Sequence, residues 1–210
     1  MSLTTLDLEK LKAILLQMAQ NVRTVINYTK KMIESEDLET RRSLWREIEE
    51  LSIALDRTRR KFIIEVLMFI ARRQPLGREL LTAHALISIA YDVYRVSRYC
   101  REIARIDSML APASSLASTS NISSAFNEAV KALEAALSDL AEFAPKRADM
   151  VDRIDEKIDK EYREILKEIT TRDVVPRDKA VKALIMRHVE RMVDHAHYIE
   201  QHLAEVTELV

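Results

Sequence analysis

Residues 89–103 read IAYDVYRVSRYCREI, and residues 185–199 read IMRHVERMVDHAHYI. The two stretches line up with each other, and a second pair, IALDRTRRKFIIEVL at 53–67 and RIDEKIDKEYREILK at 153–167, lines up as well. In both halves a long second helix leads through a proline-containing turn into a long third helix. Such self-similarity marks an internal repeat. A helical pair alone buries too little apolar surface, so each half is expected to close as an antiparallel three-helix bundle and the two halves to pack together.

Working outward from the repeat, Leu8, Leu11, Leu15, Met18, Val22, Val25 and Ile26 recur at spacings of three and four, which predicts a first helix from Leu3 to about Glu34. Ser35, Glu36 and Asp37 break it and offer N-caps. Leu44, Ile48, Leu51, Leu55, Phe62, Ile63, Val66 and Phe69 carry the second helix as far as Arg73, where Pro75 and Gly77 stop it. A third helix runs from about Arg78 to Ile106, with Leu80, Ala83, Leu86, Ile87, Ala90, Val93 and Ile103 inward. Residues 107–124, DSMLAPASSLASTSNISS, lose the period. The expected division is therefore a first repeat at 1–107, a linker at 108–122 and a second repeat at 123–210. In the second repeat, helices are predicted from about Ser123 to Phe143, Lys146 to Thr170 and Asp178 to Glu208. Val151, Ile154, Ile158, Tyr162, Ile165 and Ile169 face inward on the middle one.

Composition agrees with an all-α class. One Gly and four Pro in 210 residues leave few turn-formers for a sheet, and 48% hydrophobic residues suffice for a core. Lys and Arg number 33 against 34 acids, so no global field favours nucleic acid or an anionic membrane. The lone Cys100 excludes an intramolecular disulfide, which suits a reducing compartment. The start, MSLTTLDLEKLK, has acids where a signal peptide has a basic start, and no apolar run is long enough to span a bilayer. A cytoplasmic protein without membrane insertion is the expectation. One glycine leaves no Gly-rich phosphate loop, no nucleophile elbow surrounds any Ser, and Cys100 sits in no nucleophile motif. No catalytic residue and no enzyme activity are therefore expected.

The informative residues are acids. Asp155 and Asp159 lie four apart on one predicted helix, and Glu190 and Asp194 lie four apart on the next, a spacing that stacks side chains on one face. Opposed across an antiparallel pair, four carboxylates repel unless cations neutralise them. An oxygen-rich set of this kind suits iron, manganese, magnesium or zinc, and His197, three residues after Asp194, could add a nitrogen ligand. Acids at this spacing are also common on solvated helices, where they pair with bases, here Arg153, Lys157, Arg187 and Arg191. The spacing of His84, His188, His195 and His202 points them to other faces or to surface pairing.

The run FIARRQPLGRELLTAHALISIAYDVYRVSRYCREI, with its Gln74-Pro75 turn, and the closing run HVERMVDHAHYIEQHLAEV, with Glu190-Arg191 and Asp194-His195-Ala196, resemble the PhoU family. The resemblance covers nearly the whole chain. It implies tandem three-helix bundles that bind metal through acidic motifs, here Asp155, Asp159, Glu190 and Asp194. In the first half the counterparts of Asp159, Glu190 and Asp194 are Arg60, Tyr94 and Arg98, which leaves only Asp56. A guanidinium only donates and is always charged. Arg60 and Arg98 are therefore expected to replace a metal by pairing with Asp56 or Asp92, and only the second half to bind one.

The resemblance further implies a regulator of phosphate uptake that contacts a phosphate ABC transporter, above all its ATPase subunit, and in bacteria a sensor histidine kinase. Direct nucleic-acid binding is not expected, and long amphipathic helices leave a homodimer open. Two other readings use the same residues. One is a ferritin-like carboxylate bundle that stores or oxidises metal, against which stands the supply of acids from two helices rather than four. The other is a metal-free helical adaptor.

Overall fold

The structure is a computed structural model that describes residues 3–110, 114–119 and 121–207. Residues 111–113 and 120 of the expected linker, and the termini at 1–2 and 208–210, lie outside the described residues. The chain forms α1 (Leu3–Glu34), α2 (Leu38–Arg73), α3 (Arg78–Ser108), a short 3-10 helix (Leu116–Ser118), α4 (Ile122–Glu142), α5 (Ala148–Thr170) and α6 (Arg177–Thr207). There is no strand among the described residues, and no helix of theirs is long and apolar enough to cross a membrane.

Each boundary has a local cause. Asp37 caps α2, its carboxylate accepting from the Thr40 amide at 2.8 Å. At the other end Gln74 turns left-handed, at φ 48°, and its amide bonds Ile70 O. Pro75 follows, and Gly77 takes φ 54° and ψ −129°, a backbone state in which side chains are strained. Between α4 and α5 the Asp139 carboxylate accepts from both the amide and the guanidinium of Arg147, which fastens the turn.

Within each half the three helices pack on one another: α1, α2 and α3 in the first, α4, α5 and α6 in the second. The halves meet where α3 lies on α6 and α1 lies on α4, leaving α2 and α5 on the flanks. Like therefore meets like. Under the repeat alignment Asp92 corresponds to His188 and Tyr99 to His195. Asp92 contacts His195 at 2.8 Å, and Tyr99 contacts His188 with ring centroids 5.9 Å apart. Exchange of the halves turns one contact into the other, the reciprocity that a twofold interface imposes. On the second seam Arg23 donates to Glu134 at 2.9 Å and Lys12 sits over the Phe143 ring.

The apolar stripes read from the sequence are largely the buried ones, with Met18, Val22, Ile48, Phe62, Val93, Ile158 and Val193 at 1% exposure or less. Leu80 departs from its expected place. It is 38% exposed in the opening turn of α3, beside Leu81 and a largely open Leu76. Cys100 is buried in the core with its thiol pushed up to about 12 by desolvation, so it is inert.

Candidate functional site

Helix α5 carries Asp155 and Asp159 on the face turned to α6, and α6 returns Glu190 and Asp194 towards them. One oxygen from each of Asp159, Glu190 and Asp194 lies within 4.8 Å of the others. Asp155 stands beside them, near enough to feel the charges of Asp159 and Glu190, and forms no ion pair among the described residues. Burial, with the neighbouring acids adding to it, raises the carboxyl of Asp155. The same causes, burial first and Glu190 the strongest of the neighbouring acids, push Asp194 up to about 6. This face holds more negative charge than it can comfortably keep.

Guanidiniums take up part of it. Arg191 forks onto Glu190 at 2.7 and 2.8 Å and also reaches Asp194 at 2.8 Å. Arg187 Nη1 donates to both oxygens of Glu190 at 2.9 Å, and Arg163 pairs with Asp159 at 3.1 Å. His197 stands apart from the three clustered acids: its Nδ1 lies 2.6 Å from Asp152 and its Nε2 2.6 Å from the Gln201 amide. In donor type the residues fit a hard divalent cation, with oxygens from two facing helices. Such an ion would have to displace Arg191, which already bridges two of the acids.

On the matching face of the first half, Arg59 and Arg60 both hold Asp56, at 2.7 and 2.8 Å. Against the opposing effect of burial, those bonds keep the Asp56 carboxyl below its usual range. Laying 53–67 on 153–167 puts Arg59, not the expected Arg60, opposite Asp159; the sequence reading overlooked Arg59, which also lies over the Tyr94 ring at 4.9 Å. Arg60 therefore pairs as expected, but Arg98 does not. It bonds Glu102 at 2.8 Å, because one turn along its own helix offers a carboxylate, while Asp92 is already engaged across the seam.

That seam is the feature the sequence concealed. Asp92 is 4% exposed; its second oxygen lies 3.4 Å from Nε2 of His202, whose pKa is raised by the nearby Asp92 carboxylate. Tyr99 stacks on His195, and Tyr91 and Tyr198 approach it edge-on. A second buried group is Glu200, 2% exposed, whose carboxyl is pushed up to about 8 by burial and then by Asp139. Both residues stand on ordinary helix faces in sequence, and neither has its partner on its own helix.

Residues 15–106 match the model of the PhoU domain. The chain is 26% identical over 162 residues to the phosphate-specific transport system accessory protein PhoU homolog of Synechocystis sp., covering 76% of this chain and 72% of that one. It is 25% identical over 173 residues to the protein of the same description from Deinococcus radiodurans, covering 82% and 80%. The crystal structure of PhoU from Pseudomonas aeruginosa matches with a TM-score of 0.79 at 21% identity, over 97% of this chain and 98% of that one. In sequence and in fold the chain is similar to PhoU proteins. The phosphate transport system regulatory protein PhoU of Streptococcus pneumoniae, at TM-score 0.77 and 18% identity, shares the same six-helix plan over 97% of this chain. The PhoU-domain match falls on α1 to α3, whereas the crowded carboxylates lie between α5 and α6.

Proposed function

We propose that the protein is a regulator of phosphate uptake, an accessory to a phosphate transport system that acts by docking rather than by catalysis. The observation that carries this reading is the full-length PhoU fold, joined to relatives described as accessory proteins of phosphate-specific transport. A helical surface of mixed charge suits such a role. Its partner is the ATPase subunit of a phosphate ABC transporter, reached from the cytoplasmic side, and a sensor histidine kinase is the second partner where one exists. Purification of the tagged chain from its own cells, followed by identification of bound proteins, tests the reading. Recovery of the transporter ATPase is the expected outcome; reproducible recovery of an unrelated complex without it contradicts the proposal.

Within that role the carboxylates of Asp155, Asp159, Glu190 and Asp194 form a cation site confined to the second half. A bound divalent cation would supply the positive charge that this face lacks. The support is the convergence of three of the four acids and the raised pKa of Asp155 and Asp194. Manganese, ferrous iron, magnesium and zinc are each titrated against thermal unfolding. At least one should raise the melting temperature of the protein and lose that effect in Asp159→Ala with Asp194→Ala, but not in Asp56→Ala. A ferritin-like oxidase is the weaker reading, since the acids come from two helices and His197 is held by Asp152.

A further inference from the structure

At the end of the first bundle, where α2 begins and α3 closes, the surface folds into a cavity of about 290 Å3. Its walls include Arg41, Arg42, Trp45, Arg46, Asp107 and Leu110. Three guanidiniums face one carboxylate, a local excess of positive charge in a molecule whose net charge is only −1.

The three cations are not equally engaged. Arg41 is 2% exposed; its Nη1 donates to Asp107 at 2.7 Å and its Nη2 to Ser114 O at 3.0 Å, while its Nε is buried without a hydrogen-bond partner among the described residues. A buried donor left unsatisfied carries a desolvation cost that a ligand oxygen would remove. Arg42 meets only the exposed Glu39 at 3.2 Å, a solvent-screened pair, and Arg46 has no ionic partner among the described residues. The opening turns of α2 favour an anion, and the closing turn of α3 opposes it, so the guanidiniums decide the sign. Trp45 and Leu110 give the cavity an apolar side, which keeps water from screening those charges fully.

We propose that this cavity binds a small tetrahedral oxyanion, inorganic phosphate in the first instance, held by Arg41, Arg42 and Arg46 beside Trp45. The planar fork of arginine matches such an ion at two oxygens at once. The volume lies near the lower limit, about 300 Å3, of ordinary ligand pockets, which suits a small ion. The inference rests on the cavity and stands independently of the docking partner proposed above.

Trp45 is the only tryptophan, so its fluorescence reports on this wall alone. The intact protein is titrated with sodium phosphate, sodium sulfate and, at matched ionic strength, sodium chloride. Calorimetry runs alongside in case the indole is silent. Phosphate should bind saturably where chloride does not, and Arg46→Ala and Arg42→Ala, both at exposed positions, should each weaken it roughly ten-fold while leaving helicity unchanged. Sulfate binding as tight as phosphate binding supports a site for oxyanions as a class; weaker sulfate binding supports selectivity for phosphate. No saturable phosphate signal by either method, or binding undiminished in both variants, overturns the proposal.

Discussion

Glu200 shows how one buried side chain ties this fold to pH. Its carboxyl is raised from 4.5 to about 8 by burial first and by Asp139 second, so the folded protein holds a proton there that the unfolded chain releases. A raised folded pKa makes the contribution of this group complete below 4.5 and lost as the pH climbs through about 8. Glu200→Gln imitates the protonated form. Its stability relative to the parent should be near zero at pH 4 and come to favour the variant by up to about 4 kcal/mol at pH 8, measured by urea unfolding. Asp92 acts in the opposite sense, as an acceptor for the histidines of the other half. Asp92→Ala should cost about 3 kcal/mol, because it leaves His195 and His202 without their buried partner. The same variant should lower the His202 pKa, seen by NMR titration, since the Asp92 carboxylate beside it is the largest cause of its rise. In the parent, the His202 contribution is full below 6.5 and is lost above the raised folded value.

The elements themselves are largely legible in the sequence. Periodicity placed α1 at its observed bounds, and the Pro75 and Gly77 punctuation ended α2 where Gln74 turns left-handed. The pairing of Asp155 with Asp159, and of Glu190 with Asp194, also put the acids on the correct faces, because a four-residue spacing is a property of one helix. What α5 and α6 do to each other was not legible. Which carboxylates converge, and that Arg191 spans two of them, depends on how the helices are rotated and offset, which no single-helix pattern encodes. Leu80 illustrates the same limit from the apolar side, since it keeps the spacing of a core residue but lies beyond the reach of the packed bundle. At the α2–α3 turn the backbone alone sets the cost of change. A methyl group on Gly77 would meet nothing within 4 Å, yet its φ is 54°. Gly77→Ala should therefore lower stability by about 1–3 kcal/mol through strain, with the calorimetric melting temperature falling accordingly.

For the whole molecule, duplication explains both the symmetry and its breaking. Equivalent helices meet at both seams, as a closed twofold interface requires, but the two copies have diverged in charge. One flank keeps acids that crowd one another, and the other has filled the matching face with Arg59 and Arg60 on Asp56. The seam between α3 and α6 has likewise diverged while keeping its geometry: Asp92 meets His195 on one side, and His188 meets Tyr99 on the other. The most direct test of this reciprocal arrangement is a set of double-mutant cycles on stability for Asp92 with His195, Tyr99 with His188, and Asp92 with His188 as a control. The account predicts coupling of about 0.5–3 kcal/mol in each of the first two pairs and additivity within about 0.5 kcal/mol in the third. Coupling absent from either of the first two, or present in the third alone, would contradict it.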